Sequence, residues 1–189
     1  MSSLHLALES GYFREAGLAV DIRQSPGPEY TPVLLAGGEL DVAFTAISPT
    51  VINAVIRGGR LKLVAGREIA SPRCGDFGAV YGTRKGFPRG IPDFRLLKGK
   101  RIVLRWLGDL GAFALDTELA GVSLSLNAVK LEFMELPQAM AALLGGRVDG
   151  LVSTGTLDRY YPVASRLVRS PALGRILPNF QFSFVMFGP

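Results

Sequence analysis

Two apolar runs in the sequence end in hydroxyl side chains, and the same pattern of residues precedes both runs. Residues 35–46 read LAGGELDVAFTA and residues 143–154 read LLGGRVDGLVST, with a leucine, a double glycine and an aspartate ahead of each apolar run. Thr45 lies near the end of the first run, and Ser153 and Thr154 end the second. Strands of open α/β sheets bind ligands beside their carboxyl ends. The pattern therefore predicts a site for a small solute at these hydroxyls.

The segment after the first run combines a ligand-binding pattern with a helix start. Ser48 precedes Pro49, which is typical of a helix with a side-chain cap and a proline in its first turn. Free amides and a hydroxyl at such a terminus can hold a carboxylate, a sulfonate or a phosphate. We expect Thr45, Ala46 and Ser48 to contact ligand; a purely capping role for Ser48 is the alternative.

A glycine-rich loop, WLGDLGA at residues 106–112, follows a predicted strand at 101–105. Trp106 offers a flat face for an aromatic or heterocyclic ligand, and a packed core tryptophan is the alternative. Asp109 would repel a bare anion, and Arg105 would offset that repulsion. The candidate ligand residues of this loop are Trp106, Gly108, Asp109, Leu110 and Gly111.

A third loop, containing Glu68, Ser71 and Arg73, follows another predicted strand and is expected to face Ser153 and Thr154. Arg73 is a natural partner for a carboxylate or sulfonate, because a guanidinium binds such groups through paired hydrogen bonds. The alternative is an ordinary solvated loop arginine.

The composition excludes several classes of function. Lys and Arg number 21 against 16 Asp and Glu, a net charge of +5, but the basic residues are scattered and form no nucleic-acid motif. The single cysteine, Cys74, excludes an internal disulfide, and the single histidine, His5, leaves no Ser-His-Asp set in a cleft. We expect no metal site, no cofactor and no nucleic-acid partner.

No apolar run spans a membrane, and the first residues do not form a signal peptide.

Helix and strand patterns alternate along the chain, which predicts an α/β fold with mostly parallel sheets covered by helices. The Gly/Pro-rich loop at 83–94 is the best interior boundary. The strands are predicted at 18–24, 41–45, 61–66, 77–83, 101–105, 128–134, 148–154 and 180–188. The helices are predicted at 4–16, after the turn that begins at 25, after Ser48, from the end of the turn at 106–112 to about 121, at 137–146 and at 156–168.

The two halves of the chain also match each other. AVDIR at 19–23 and AVKLE at 128–132 each precede a proline-containing segment, a helix, the double glycine and the aspartate. Two similarly built lobes follow from this match. The glycines are expected to reverse the chain after each helix and the aspartates to accept backbone amides in the turn.

Five segments in this order resemble the substrate-binding proteins of bacterial ABC importers for nitrate, aliphatic sulfonates, taurine and thiamine-pyrimidine precursors. They are LALESGYFREAGLAVDI, LLAGGELDVAFTA, VIRGGRLKLVAG, LLKGKRIVL and ALLGGRVDG. The resemblance implies a type II periplasmic-binding fold with lobes at 1–83 plus 181–189 and at 84–180, joined by crossing strands near 77–86 and 180–188. It further implies a ligand, anionic or aromatic and heterocyclic, held in a cleft that closes by hinge bending, delivery to an ABC permease, and a periplasmic or extracytoplasmic location, although no signal peptide is present.

Relative to that family pattern, the chain lacks a first strand ahead of the first helix, and it lacks the C-terminal helices. The missing strand belongs inside the first sheet, between the strands at 18–24 and 41–45. Its loss is expected to leave unpaired backbone edges, and with them reduced stability or self-association.

An enzyme on the same fold is the main alternative. Thiamine-pyrimidine synthases resemble this chain but use an active-site histidine and a cysteine-rich iron motif, which His5 and Cys74 do not supply. A dihydroxyphthalate-decarboxylase-like enzyme would need acid and base residues that the sequence does not identify. A sensory domain of a LysR-type regulator would follow a helix-turn-helix, which is absent, and a fragment without independent function is the remaining alternative. We therefore expect a binding protein rather than an enzyme.

Overall fold

The computed structural model describes residues 3–25, 27, 29–70, 78–154, 157, 161–173 and 179–189. Its α-helices are α1 (Ser3–Glu9), α2 (Tyr12–Glu15), α3 (Thr31–Ala36), α4 (Pro49–Ile56), α5 (Leu110–Ala120) and α6 (Leu136–Leu144). Its strands are β1 (Val42–Ala46), β2 (Lys62–Ala70), β3 (Gly78–Gly82), β4 (Arg101–Leu104), β5 (Lys130–Phe133), β6 (Gly150–Thr154), β7 (Val168–Arg169) and β8 (Phe180–Phe187). Among the described helices, none is both long enough and apolar enough to cross a membrane.

The strands form two sheets, which confirms the predicted α/β class. The second sheet has the order β5-β4-β6-β3-β7, with β4 parallel to β5 and β6, and with β3 antiparallel to β6 and β7. The first sheet has the order β1-β8-β2 and differs from the expected parallel arrangement. Here β1 and β2 run in the same direction, but β8 returns from the far end of the chain and pairs antiparallel with both.

Side-chain alternation gives the second sheet two buried faces. Ile102 and Leu104 of β4 join one apolar cluster with α5, while Val103 joins another with α6. Successive strand residues point to opposite faces, so a sheet that is apolar on both faces requires a helix on each side. The second sheet is therefore the centre of a helix-sheet-helix sandwich.

The core of the first sheet is much smaller. Its cluster of buried residues consists of Leu35, Ala43, Val51 and Met186. One edge of β1 pairs with β8, and no described strand pairs with the other edge. An unpaired edge beside β1, and self-association through it, stay predictions.

The predicted strand at 18–24 is wrong, since residues 18–25 form no strand in the structure. Its alternation is real, but Leu18, Val20 and Ile22 remain 57%, 36% and 38% exposed. An alternating sequence becomes a strand only when a neighbouring strand accepts its backbone hydrogen bonds. None of the described strands lies beside this segment.

Two predicted helices also need correction. The helix predicted at 4–16 is two short helices, because Gly11 adopts a left-handed conformation with φ of 80° between them. The described part of the helix predicted at 156–168 contains a 3₁₀ turn at Pro162–Arg166, followed by β7. Pro162 lacks an amide hydrogen and so interrupts an α-helix there.

The strand predicted at 77–83 was assigned to the first lobe, but β3 pairs with β6 and β7 in the second sheet. In terms of strand pairing, the chain passes to the second sheet before residue 78 and returns to the first sheet with β8. The division into lobes at 83 and 84 stays a prediction.

Candidate functional site

A cavity of about 540 Å³ opens between the two sheets, and residues from both form its walls. The first sheet contributes the end of β1, the start of α4 and the start of β8. The second sheet contributes the loop from β4 to α5 and the end of β6. We call this cavity the cleft. Its lining is Thr45, Ala46, Ile47, Ser48, Pro49, Ile52, Arg105, Trp106, Leu107, Gly108, Asp109, Leu110, Ala112, Phe113, Asp116, Leu126, Thr154, Phe180 and Phe182.

A second, smaller cavity of about 330 Å³ adjoins the cleft at the carboxyl ends of β4, β5 and β6. It shares three wall residues with the cleft, namely Arg105, Asp109 and Thr154. Gly111 and Ser153, which were predicted as ligand residues, lie on this second cavity rather than on the cleft itself. We call it the side cavity.

Local sequence explains why the first wall faces the cleft. β1 ends at Ala46 and α4 begins at Pro49, so the chain turns at the cleft over two residues. Ser48 is buried at 8% exposure, and its Oγ accepts the amide of Val51 at 3.3 Å. The capping role of Ser48 is therefore present, while the Thr45 hydroxyl makes only a long contact of 3.5 Å to the carbonyl of Ala46.

Trp106 lies half-buried in the cleft rather than in either buried cluster of the second sheet. A side chain at Gly108 would collide with the six-membered ring of the indole, so the ring lies against the Gly108 backbone. At Gly111 an added Cβ would lie 3.1 Å from Val152 and 3.2 Å from Thr154, which brings α5 close to the end of β6. These glycines thus have packing roles that position Trp106 and the helix.

Asp109 is the cap of α5, and its Oδ1 accepts the amide of Ala112 at 2.7 Å. Burial raises the pKa of the Asp109 carboxyl above its ordinary value of 3.8, and this effect outweighs the opposing hydrogen bonds from the Ala112, Gly111 and Trp106 amides and the charge of Arg105. Removing a carboxylate from water disfavours its charged form. The cleft therefore contains a carboxyl group that is poorly solvated.

Sequence reasoning did not identify Glu135, Phe180 and Phe182 as site residues. Arg105 Nε donates to Glu135 Oε1 at 3.2 Å and to Oε2 at 3.1 Å, across the wall of the side cavity. Phe180 and Phe182 alternate along β8, and this period of two was the available signal. Only the antiparallel return of β8 shows that the two rings reach the cleft.

The predicted site residues fall into three groups. Arg73 and Ser71 lie outside the described residues. Glu68 Oε2 accepts the Ser183 hydroxyl at 3.0 Å, and Glu68 lines neither cavity. The others come together on the two cavities: Thr45, Ala46, Ser48, Trp106, Gly108, Asp109, Leu110, Gly111, Ser153 and Thr154. Within the described ranges, no group of three His, Cys, Asp or Glu side chains lies close enough together to hold a metal ion.

Comparison with known proteins places the chain in a family. The sequence model described as NMT1/THI5 like matches residues 1–158. The chain belongs to the NMT1/THI5-like family. A curated relative of this member is 4-amino-5-hydroxymethyl-2-methylpyrimidine phosphate synthase of Aspergillus parasiticus, which is 31% identical over 113 residues, or 60% of this chain and 30% of the synthase.

Solved structures show the fold of this NMT1/THI5-like chain. The alkanesulfonate-binding protein SsuA of Xanthomonas axonopodis pv. citri, bound to MOPS, is 19% identical with a TM-score of 0.73, and the match covers 100% of this chain and 62% of that protein. The periplasmic aliphatic sulphonate-binding protein SsuA of Escherichia coli is 18% identical with a TM-score of 0.75, covering 98% and 57%. The fold is that of the type II periplasmic-binding proteins, and the chain spans about three fifths of the length of these two structures.

Proposed function

We propose that this chain belongs to a solute-binding protein that holds a small organic ligand with a flat ring in the cleft and presents it to an ABC permease. The observation that carries this proposal is the composition of the cleft. Trp106 and Phe113 come from the second sheet's side, and Phe180 and Phe182 come from β8 of the first sheet. Aromatic faces from both sides of a cavity favour a planar ring between them.

The arrangement of the two sheets supports capture by closure. The cleft lies between them, and residues from both sheets line it. The chain passes between the sheets after β2 and again before β8. Rotation of one sheet relative to the other would open and close the cleft, which is the hinge motion of two-lobed binding proteins. We propose that the first sheet and the second sheet, with the helices packed on each, move as the two lobes, and that β3 moves with the second sheet.

The solved structures of similar fold support a proposal for the location and the partner of this chain. SsuA of Escherichia coli is described as periplasmic, and both SsuA proteins are described as sulfonate-binding. We propose a periplasmic or extracytoplasmic location for this chain and a permease as its membrane partner. Immunodetection of the protein in an osmotic-shock fraction supports the location, and retention with the cytoplasmic fraction contradicts it.

A synthase is the second candidate, because a curated relative has that activity. The described walls of the cleft and side cavity hold no histidine and no cysteine. The groups there that take up or release protons are Asp109, Asp116 and Glu135. We favour binding over catalysis, because ring-lined walls and helix termini account for the cleft without a reacting residue. Release of a pyrimidine phosphate by the purified protein would reverse this choice.

The edge of β1 that no described strand pairs with and the exposed residues 18–24 support the expected self-association. Unpaired strand edges pair readily with another chain. Sedimentation velocity over a range of concentrations should detect dimers or larger species. A monomer with a high melting temperature would contradict this expectation.

The single tryptophan makes the binding proposal directly testable. Trp106 is the only tryptophan in the chain, so its fluorescence reports on the cleft without interference. Titration with aromatic and heterocyclic acids, alcohols and amines should change that fluorescence and raise the melting temperature for at least one class. Trp106→Phe should keep the fold and weaken binding measured by calorimetry. No fluorescence change and no thermal shift across the panel would reject the proposal.

A further inference from the structure

The charges on the walls of the two cavities are unbalanced. Arg105 is the one cation among their described lining residues, and its Nε is already hydrogen-bonded to Glu135 at 3.1–3.2 Å. Asp109 and Asp116, two helical turns apart on the same side of α5, form no ion pair with any described residue. The space that a ligand would enter is therefore bordered by three carboxyl groups, Asp109, Asp116 and Glu135, and by one guanidinium, Arg105, which is paired with Glu135.

The places where an anion would normally bind are already filled. At the N-terminus of α5, the Ala112 amide donates to Asp109 Oδ1 at 2.7 Å, and the amides of Gly111 and Trp106 also stabilise that carboxylate. At the N-terminus of α4, the Val51 amide donates to Ser48 Oγ. A ligand carboxylate or sulfonate would have to displace these caps, and at α5 it would approach a carboxylate of its own sign.

The side cavity gives a donor group room to reach Asp109. Asp109 lies on the wall shared by the two cavities, together with Arg105 and Thr154. A ring held by Trp106 in the cleft can therefore extend a short substituent past Asp109 toward Ser153 and Glu135. Asp109, Ser153 and Glu135 all present side-chain oxygen atoms that accept a hydrogen bond.

From this arrangement we infer that Asp109 selects ligands whose ring carries an ammonium or another N–H donor, and rejects rings of equal size that carry a carboxylate or sulfonate. The selection has an attractive part, the contact between the donor and Asp109, and a repulsive part against anions. This inference rests on the proposed function, since it assumes that the ring lies in the cleft. This ligand preference distinguishes the chain from the sulfonate-binding proteins that share its fold.

The test uses three probes with the same ring: 2-phenylethylamine, 2-phenylethanol and 3-phenylpropanoate. Trp106 fluorescence and calorimetry at neutral pH should show the amine binding at least about tenfold more tightly than the carboxylate, which corresponds to about 1.4 kcal/mol. In Asp109→Asn this preference should fall below about threefold. Asparagine caps a helix as well as aspartate does, so α5 should stay intact. Asp109→Ser is a second variant that also keeps a cap.

Glu118→Gln is the matched control, because it removes a negative charge from the same helix at a position that lines neither the cleft nor the side cavity. The amine preference should persist in this variant within about twofold. An equal loss in Glu118→Gln and Asp109→Asn would overturn the assignment to Asp109. Equal or tighter binding of 3-phenylpropanoate by the unaltered protein would overturn the selectivity while leaving the proposed function standing. Silence of all three probes would overturn both.

Discussion

The two copies of the leucine, double glycine and aspartate frame have different roles in the folded protein. In the second copy, Asp149 Oδ2 accepts the Arg101 amide at 2.8 Å, and the Arg101 side chain reaches both carboxylate oxygens at 3.1 and 3.2 Å. In the first copy, Asp41 is exposed, and no described residue donates a hydrogen bond to its side chain. The same local sequence therefore has an anchoring role only where a neighbouring strand supplies the partner.

The position of each copy in its sheet explains this difference. β6, which follows Asp149, lies between β4 and β3, and β4 begins at Arg101. β1, which follows Asp41, has β8 on one side, and none of the described strands pairs with its other side. The aspartates were expected to accept amides within their own turns. Asp149 instead accepts the amide of an adjacent strand, and it thereby fixes β4 beside β6.

The largest expected difference between the two regions is in their cores. Leu143 and Leu35 are both fully buried, but Leu143 belongs to a cluster of ten buried residues and Leu35 to one of four among the described residues. Leu143→Ala should lower the free energy of unfolding of the whole chain by about 2–5 kcal/mol. Leu35→Ala should mainly raise hydrogen exchange in α3 and β1, while β4 and β6 stay protected. Equal exchange in both sheets would show that they unfold as one unit.

The two aspartates should differ next. Asp149→Ala should cost about 1–2 kcal/mol, because it removes the hydrogen bonds to Arg101 and leaves the start of β4 without its side-chain partner. Asp41→Ala should change the free energy of unfolding by less than about 0.5 kcal/mol, as is usual for an exposed side chain. Urea unfolding of both variants measures the difference. A cost for Asp41→Ala as large as that for Asp149→Ala would break the comparison.

The glycines that follow the helices should behave alike. Gly38 and Gly146 have φ of 76° and 73°, and a Cβ at either position would meet nothing within 4 Å. Alanine at either position would be strained by the left-handed backbone alone, at a cost of about 1 kcal/mol. Thermal unfolding of the two variants should give equal shifts. Unequal shifts would mean that the turns differ in ways beyond their backbone angles.

The smallest expected effect is in the pH dependence. The hydrogen bonds from Arg101 hold the pKa of Asp149 below its ordinary value of 3.8. The folded carboxyl thus binds its proton less readily than the unfolded one, so its stabilising effect is complete above that value and is lost as the pH falls toward the lowered pKa. Asp149→Asn should flatten the decline in stability below about pH 4, by less than about 1 kcal/mol. Acid unfolding of the unaltered protein and of Asp149→Asn measures the difference.

Local sequence was enough to predict several elements of this protein. Ser48 and Pro49 were correctly predicted to start a helix, because capping depends on neighbours along the chain. The strands at 41–45 and 148–154 were predicted within two residues of their observed bounds, since a glycine turn and a short apolar run determine them. Their ends were correctly expected to be close to each other, because Thr45 and Thr154 both line the cleft.

Tertiary structure alone decided the rest, because these features depend on contacts between residues distant in sequence. The alternation at 18–24 predicted a strand, yet no described strand pairs with it and its side chains remain exposed. The return of β8 between β1 and β2 made the first sheet antiparallel and carried Phe180 and Phe182 to the cleft. The pairing of Asp149 with Arg101 likewise required β4 and β6 to be adjacent. Composition and periodicity determine which segments can form strands and where they end, and strand order determines which of their side chains meet.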